Sequence, residues 1–208
     1  MICSHKSILL FIVLNIASPV FSQYRGLEFD HITTSKGLSD GDVRQIIQDY
    51  KGYIWFATMN GLNRYDGNSF TVYKNDPLDK YSISGNRISC IFEDSQKRIW
   101  VGTRGGGVNL YDREKDRFIS FKQIKGDSTS IRNNEIGAIF EDRSGKLWVG
   151  HFDGISELLI SKKNTKNSSI DIKFCNRYLV NNVSIYSSIN WITSICQDKD
   201  EYLWLGSQ

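Results

Sequence analysis

One eleven-residue pattern is written four times in this chain, and that repetition limits the fold before composition is weighed. The copies are Gln48-Asp49-Tyr50-Lys51-Gly52-Tyr53-Ile54-Trp55-Phe56-Ala57-Thr58, then Glu93 to Thr103, Glu141 to His151 and Gln197 to Ser207. In each an aspartate stands six residues before a tryptophan: Asp49 and Trp55, Asp94 and Trp100, Asp142 and Trp148, Asp198 and Trp204. The tryptophans are 45, 48 and 56 residues apart. Self-similarity at such a period belongs to propellers and solenoids.

Within a repeat, short runs rich in β-branched and aromatic residues alternate with Gly/Asn/Asp turns. The first repeat predicts strands at 43–49, 53–58, 62–66 and 69–73. The second predicts 87–94, 98–103, 108–112 and 117–122, and the third 135–142, 146–151, 155–160 and 171–174. Apolar residues recur in short alternating runs and not at helical spacing, which excludes leucine-rich and helical-pair solenoids. The expected class is all-β: a partial β-propeller of four-stranded antiparallel blades, about three and a half of them. Its repeats run over 38–82, 83–130, 131–188 and 189–208, the last stopping within the unit, so a fragment or truncated product is expected. Extra residues between Ser161 and Ser188 account for the longest spacing and predict an exposed, mobile loop containing a strand.

Ahead of the repeats, residues 1–22 read as a secretory signal. A basic start (His5, Lys6) leads into an apolar run from Ile8 to Ile16, too short to span ~30 Å of hydrocarbon, and Ser18-Pro19-Val20-Phe21-Ser22 precedes a cut before Gln23. Residues 23–37 form a lead-in with one predicted strand at 26–32. Losing one lysine with the signal takes the net charge from +3 to +2, too balanced for a nucleic-acid-binding surface. The three mature cysteines, Cys90, Cys175 and Cys196, have no metal-ligand spacing, and neither metal nor cofactor is expected. Cys90 aligns with Ala138 and Ser194, and Cys196 with Ile47, Phe92 and Phe140. Both read as packed small hydrophobes.

The repeated residues read as scaffold. A tryptophan at one strand position per blade fills the space between sheets. The small residue two places later (Ala57, Gly102, Gly150, Gly206) lets a neighbouring sheet come close. The aspartate accepts N–H bonds from the turn that follows it. His151 replaces Thr58, Thr103 and Ser207 of the other copies and reads as a hydrogen-bonded strand-end histidine, since only His31 could join it in the mature chain.

The pattern Asp-x-x-Gly-x-[Ile/Leu]-Trp-[Val/Leu/Phe]-[Gly/Ala]-Thr, followed by Gly-Leu-Asn-x-Tyr-Asp (Gly61 to Asp66) or Gly-Val-Asn-Leu-Tyr-Asp (Gly107 to Asp112), resembles the two-component regulator propeller repeat. The entries Leu38-Ser39-x-Gly41-x-Val43 and Ile83-Ser84-Gly85-Asn86-Arg87-Ile88 are similar to that family's strand entry. The turn glycine is Gly52 and Gly145 in two copies but Lys97 and Glu201 in the others. The resemblance implies the periplasmic sensor region of Bacteroidetes hybrid two-component histidine kinases. Its ligand would be an oligosaccharide released from a glycan. Further blades, a membrane helix, a kinase and a phosphorelay would lie in the full-length protein, which would be membrane-anchored and able to form a homodimer. The sensor segment would make no nucleic-acid contact.

Sites are expected where the copies disagree, because a scaffold position would repeat. In an up-and-down blade, the loops after strand two share a face with the entry to strand one. Seven residues before the repeat aspartate stand Asp42, Arg87, Glu135 and Trp191. Past strand two stand Met59, Arg104 and Phe152, with Asn60 and Asp153 beside them. Aromatic platforms with Arg, Asn and carboxylates suit sugar recognition, so Asp42, Arg87, Glu135, Trp191, Asn60, Arg104, Phe152 and Asp153 are the candidate ligand-binding residues. No catalytic residue is expected. The alternative is a carbohydrate-active propeller enzyme, a glycosidase or polysaccharide lyase. Its Asp-box blades set aspartate five residues before tryptophan, not six, and it would need converging carboxylates. A WD-type docking propeller would repeat Gly-His and Trp-Asp dipeptides blade by blade, a pattern missing here.

Overall fold

The computed structural model describes residues 29–162, 170–178 and 191–207; the expected signal segment lies outside them. Residues from Ile32 onward form one compact unit. Within it the chain folds as consecutive antiparallel meanders. Blade one comprises β1 (Val43–Gln48), β2 (Ile54–Thr58), β3 (Gly61–Tyr65) and β4 (Phe70–Tyr73). Blade two comprises β5 (Ile88–Glu93), β6 (Ile99–Thr103), β7 (Gly107–Asp112) and β8 (Arg117–Phe121). Blade three comprises β9 (Ile136–Glu141), β10 (Leu147–His151), β11 (Gly154–Lys162) and β12 (Ile170–Tyr178), and β13 (Ile192–Gln197) pairs with β14 (Leu203–Ser207) in blade four. Strand order within every sheet follows the sequence. The all-β propeller-blade architecture is therefore as the repeats predict, with strand ends displaced by at most one residue in the first two blades and by up to four in the third.

Two expectations need correction. Phe29–Ile32 carries no strand, and the rest of that expected strand, residues 26–28, lies outside the described residues; a short 3-10 turn at Thr34–Lys36 follows instead. The third blade's insertion is also more regular than a loop. β11 and β12 are nine residues each and pair from Ile155/Tyr178 out to Lys162/Ile170, so part of the extra length extends a hairpin.

The repeated turn shows why six residues separate aspartate from tryptophan. One carboxylate oxygen of Asp94 accepts the N–H groups of Gln96 and Arg98 at 3.0 and 2.9 Å, which closes the turn. The other accepts the Trp100 indole N–H at 2.8 Å. The same indole bond recurs at 2.9, 2.8 and 2.7 Å in the first, third and fourth copies. The fourth turn residue is left-handed in every copy, with φ of 89° at Gly52, 64° at Lys97, 81° at Gly145 and 69° at Glu201. Glycine suits that conformation best, yet two copies do without it.

The core lies between blades. One cluster joins Trp55, Ala57 and Leu62 of blade one to Ile88, Ile91 and Tyr111 of blade two. A second joins Trp100, Val108 and Leu110 of blade two to Ile136, Leu147 and Phe174 of blade three. Trp55 and Trp100 thus face the following blade. Trp55 and Trp100 are wholly buried, whereas Trp204, with no later blade against it among the described residues, is 62% exposed. Cys90 is buried, and burial pushes its thiol up to about 12. Cys196 is exposed, contrary to the packed role expected for it: its counterparts Ile47 and Phe92 pack against the interblade clusters, and among the described residues no blade lies against Cys196 in that way.

A polar latch reinforces each seam. The residue before the repeat aspartate reaches back to the preceding blade's turn: Glu93 accepts the Tyr50 N–H, Glu141 the Ser95 N–H, and Gln197 the Arg143 N–H, at 3.0, 2.7 and 2.9 Å. Arg113 adds a two-pronged tie, at 2.7 Å to Asp49 and 3.0 Å to Glu93.

Candidate functional site

The two sets of variable residues turn out to be backbone neighbours. The N–H past strand two bonds the carbonyl of the residue seven before the aspartate: Met59 to Asp42 (3.3 Å), Arg104 to Arg87 (2.9 Å) and Phe152 to Glu135 (3.0 Å). The next blade is drawn in as well. Gly61 N–H bonds the Asn86 carbonyl, Gly105 and Gly107 both bond the Asn134 carbonyl, and Arg104 bridges Glu135. Variation therefore sits on one hydrogen-bonded rim that runs from blade to blade.

On that rim Arg104 lies over the Trp191 ring, its guanidinium carbon 4.5 Å from the centroid. Burial, then the nearby charges of Arg87 and Arg44, lower its proton affinity below the ordinary arginine value, while Glu135 and Asp42 oppose this. Asp42 forms an exposed ion pair with Arg44 at 2.9 Å. Arg87 is exposed and Glu135 half-buried. Five of the eight candidates, Asp42, Arg87, Arg104, Glu135 and Trp191, are thus brought into one electrostatic neighbourhood. Asn60 is exposed, its N–H on the Thr58 hydroxyl at 3.3 Å. Asp153 accepts the Asn133 amide at 3.0 Å, and Phe152 is half-buried beside it.

Below the rim the innermost strands border an open cavity of about 380 Å³ lined by Arg44, Ser89, Arg104, Gly137, Trp191, Thr193 and Ser207. A second, of about 300 Å³, continues along the same strands past Gln45, Cys90 and Ser194. Arg44, Ser89, Gly137 and Thr193 share one repeat position, five before the aspartate, and all four were missed from the sequence. Each sits where the strand pairing slips: between Val43 and Gln45, Ile88 and Cys90, Ile136 and Ala138, and Ile192 and Ser194. A bulge inserts one unpaired residue and re-aims its side chain. These positions disagree between copies as much as the chosen ones do, so the same criterion applied two residues further on would have found them.

His151 has a structural explanation. In blades one and two an Asn on the third strand clasps the entry serine: Asn63 with Ser39 at 2.8 Å in each direction, and Asn109 with Ser84 at 2.9 and 2.8 Å. Blade three puts Ser156 in place of that Asn and His151 in place of the threonine, and they bond each other at 2.8 Å. The Asp153 N–H donates to His151 Nδ1 at 3.2 Å, which leaves Nε2 to donate to Ser156. Burial pushes the imidazole down to about 4. Among the described residues no group of three or more His, Cys, Asp or Glu could hold a metal ion, and no helix is long and apolar enough to cross a membrane.

Residues 37–60, 82–105, 130–153 and 186–208 each match the two component regulator propeller family model. Over 78 residues, 38% of this chain, the sequence is 40% identical to histidine kinase P4 of Formosa agariphila. The fold is similar to the extracellular domain of the hybrid two component system BT3049 from B. thetaiotaomicron, with a TM-score of 0.69 and 27% identity over 85% of this chain. That of BT4673 from the same organism follows at 0.57 and 26%. Virginiamycin B lyase from Staphylococcus aureus, at 0.53 and 16%, shares the fold alone. The chain spans 23% and 24% of the two hybrid-system structures and 6% of the kinase. It belongs to the two-component regulator propeller family, a run of sensor-domain blades of the kind found in hybrid two-component systems.

Proposed function

We propose that these blades form part of a periplasmic ligand sensor that recognises glycan-derived oligosaccharides and signals to a histidine kinase elsewhere in the full-length protein. The observation that carries this reading is the rim itself: chemically unlike side chains, paired through the backbone blade by blade, gather around the Arg104–Trp191 stack above a cavity. Such a mixture of aromatic faces and directional polar groups suits sugars, whose apolar faces stack while their hydroxyls need fixed partners. Likeness to extracellular domains of hybrid systems supports an extracytoplasmic location. Within the reading, the repeat aspartates serve only as turn and tryptophan acceptors, and the region binds without catalysis.

Calorimetric titration of the chain with a panel of plant and algal oligosaccharides tests this. Saturable binding of an oligosaccharide recovered intact is the expected result, and Trp191→Ala should weaken it at least tenfold. Release of shortened products would instead favour the lyase or glycosidase reading.

A further inference from the structure

The cavity below the rim is lined by donors in excess of acceptors. The Trp191 indole N–H is buried yet has no hydrogen-bond partner among the described residues, and the buried Ser89 hydroxyl lies beside the Cys90 thiol, a weak partner. Both residues line the same cavity as Arg104 and Arg44. Arg104 stacks on the indole, but among the described residues no carboxylate lies within ion-pair distance of its guanidinium. Of the acidic groups at the rim, Asp42 is engaged by Arg44, and Glu135 stands near Gly105 without pairing. Leaving a buried N–H unsatisfied costs about 1–3 kcal/mol, and an arginine crowded by like charges adds to that cost. Gly137 belongs to the design. A Cβ there would stand 2.1 Å from the Ile192 carbonyl oxygen and 2.9 Å from the indole nitrogen, so glycine lets the backbone that carries Trp191 come this close. The unmet need is for a compact acceptor with negative charge. A carboxylate or sulfate oxygen meets it, since a charged acceptor gives each donor a stronger bond than a hydroxyl would. A neutral sugar brings hydroxyls that must themselves donate, and the cavity has few acceptors for them.

We infer that this cavity holds the acidic group of an anionic oligosaccharide, with Trp191 Nε1, Ser89 Oγ and the Arg104 guanidinium donating to one sugar carboxylate or sulfate. The inference rests on the oligosaccharide-sensor reading and narrows its ligand class. Glu135 and Asp42 would reject an acid placed at the wrong end of the sugar, which gives the site direction.

The experiment is a ¹⁵N-resolved titration of the whole chain that follows the indole N–H signals, Trp191 being assigned by its loss in Trp191→Phe. The probes are an oligogalacturonate and its carboxyl-reduced form, and a sulfated oligogalactoside and its desulfated form. The expected result is a downfield shift of the Trp191 signal with at least one acidic probe, at an affinity tenfold or more above its neutral partner. Arg104→Gln should erase that preference. Which acidic probe acts tells carboxylate from sulfate. Equal binding of acidic and neutral forms, or acid preference with the Trp191 signal unmoved, overturns the inference and leaves the sensor reading standing. If all four probes fail to bind, the inference falls, and the sensor reading falls with it only if the wider panel is silent too.

Discussion

At the scale of single residues, the most repeated side chain is the one with most to hold. Asp94 is nearly fully buried and satisfies two turn amides, the Trp100 indole and the Arg98 guanidinium together. Removing it strands a buried indole N–H and opens the turn, so Asp94→Ala should cost about 3 kcal/mol, read as a fall in the urea midpoint with unchanged slope. Asp198→Ala makes the matching control. Its Trp204 is exposed, water replaces the lost acceptor, and the midpoint should stay near that of the parent. The aspartate, its spacing and its turn role were all legible, because the motif is local and written four times. The indole bond was not, since spacing says which residues are near but not which atoms face each other.

At the scale of strands and blades, packing is decided by what the neighbouring sheet brings. A Cβ on Gly102 would lie 2.5 Å from Cys90 Sγ and 2.6 Å from Ile136 Cγ2, one on its own sheet and one on the next blade. Gly102→Val should therefore destabilise by about 3 kcal/mol through overpacking, lowering the thermal midpoint. Ile136→Ala in the same chain should recover part of that loss, whereas independent sites would simply add. The small residue at this position could be read from the repeat, but its partner could not. The latch residues Glu93, Glu141 and Gln197 went unread for a related reason. In sequence they are ordinary polar residues at a strand end, and only the preceding blade's turn gives them a purpose.

At the scale of the whole molecule, buried titratable groups set its response to acid. His151 is neutral in the fold down to about pH 4 but takes a proton near pH 6.5 when unfolded. Above pH 6.5 both states are neutral and stability is flat. As pH falls from 6.5 towards 4 the unfolded chain binds a proton that the fold refuses, and stability should drop by about 1.4 kcal/mol per unit. Below that, burial opposes ionisation of Asp49 and Asp142, but bonds from Arg113 and Trp55 to the first, and from Ser144 and Trp148 to the second, outweigh it and hold both carboxyls below their ordinary range. Their contribution is present above the unfolded carboxylate range and fades as pH falls through the lowered values. Urea midpoints measured from pH 7.5 to 4 should show the first slope, and His151→Gln should flatten it.

The repeat by itself determined the fold class and, in the first two blades, strand positions to within a residue, because strand alternation, turn chemistry and the Asp–Trp spacing are all local and period-locked. It also located the variable rim, through disagreement among copies of one unit. Tertiary structure alone decided which variable residues meet. Arg104 and Trp191 are 87 positions apart and touch only because blades pack side by side. The bulge that turns Arg44, Ser89, Gly137 and Thr193 into the cavity likewise depends on cross-strand register, which no residue records about itself. A local code can specify a blade, but a cavity between blades exists only once several of them share a wall.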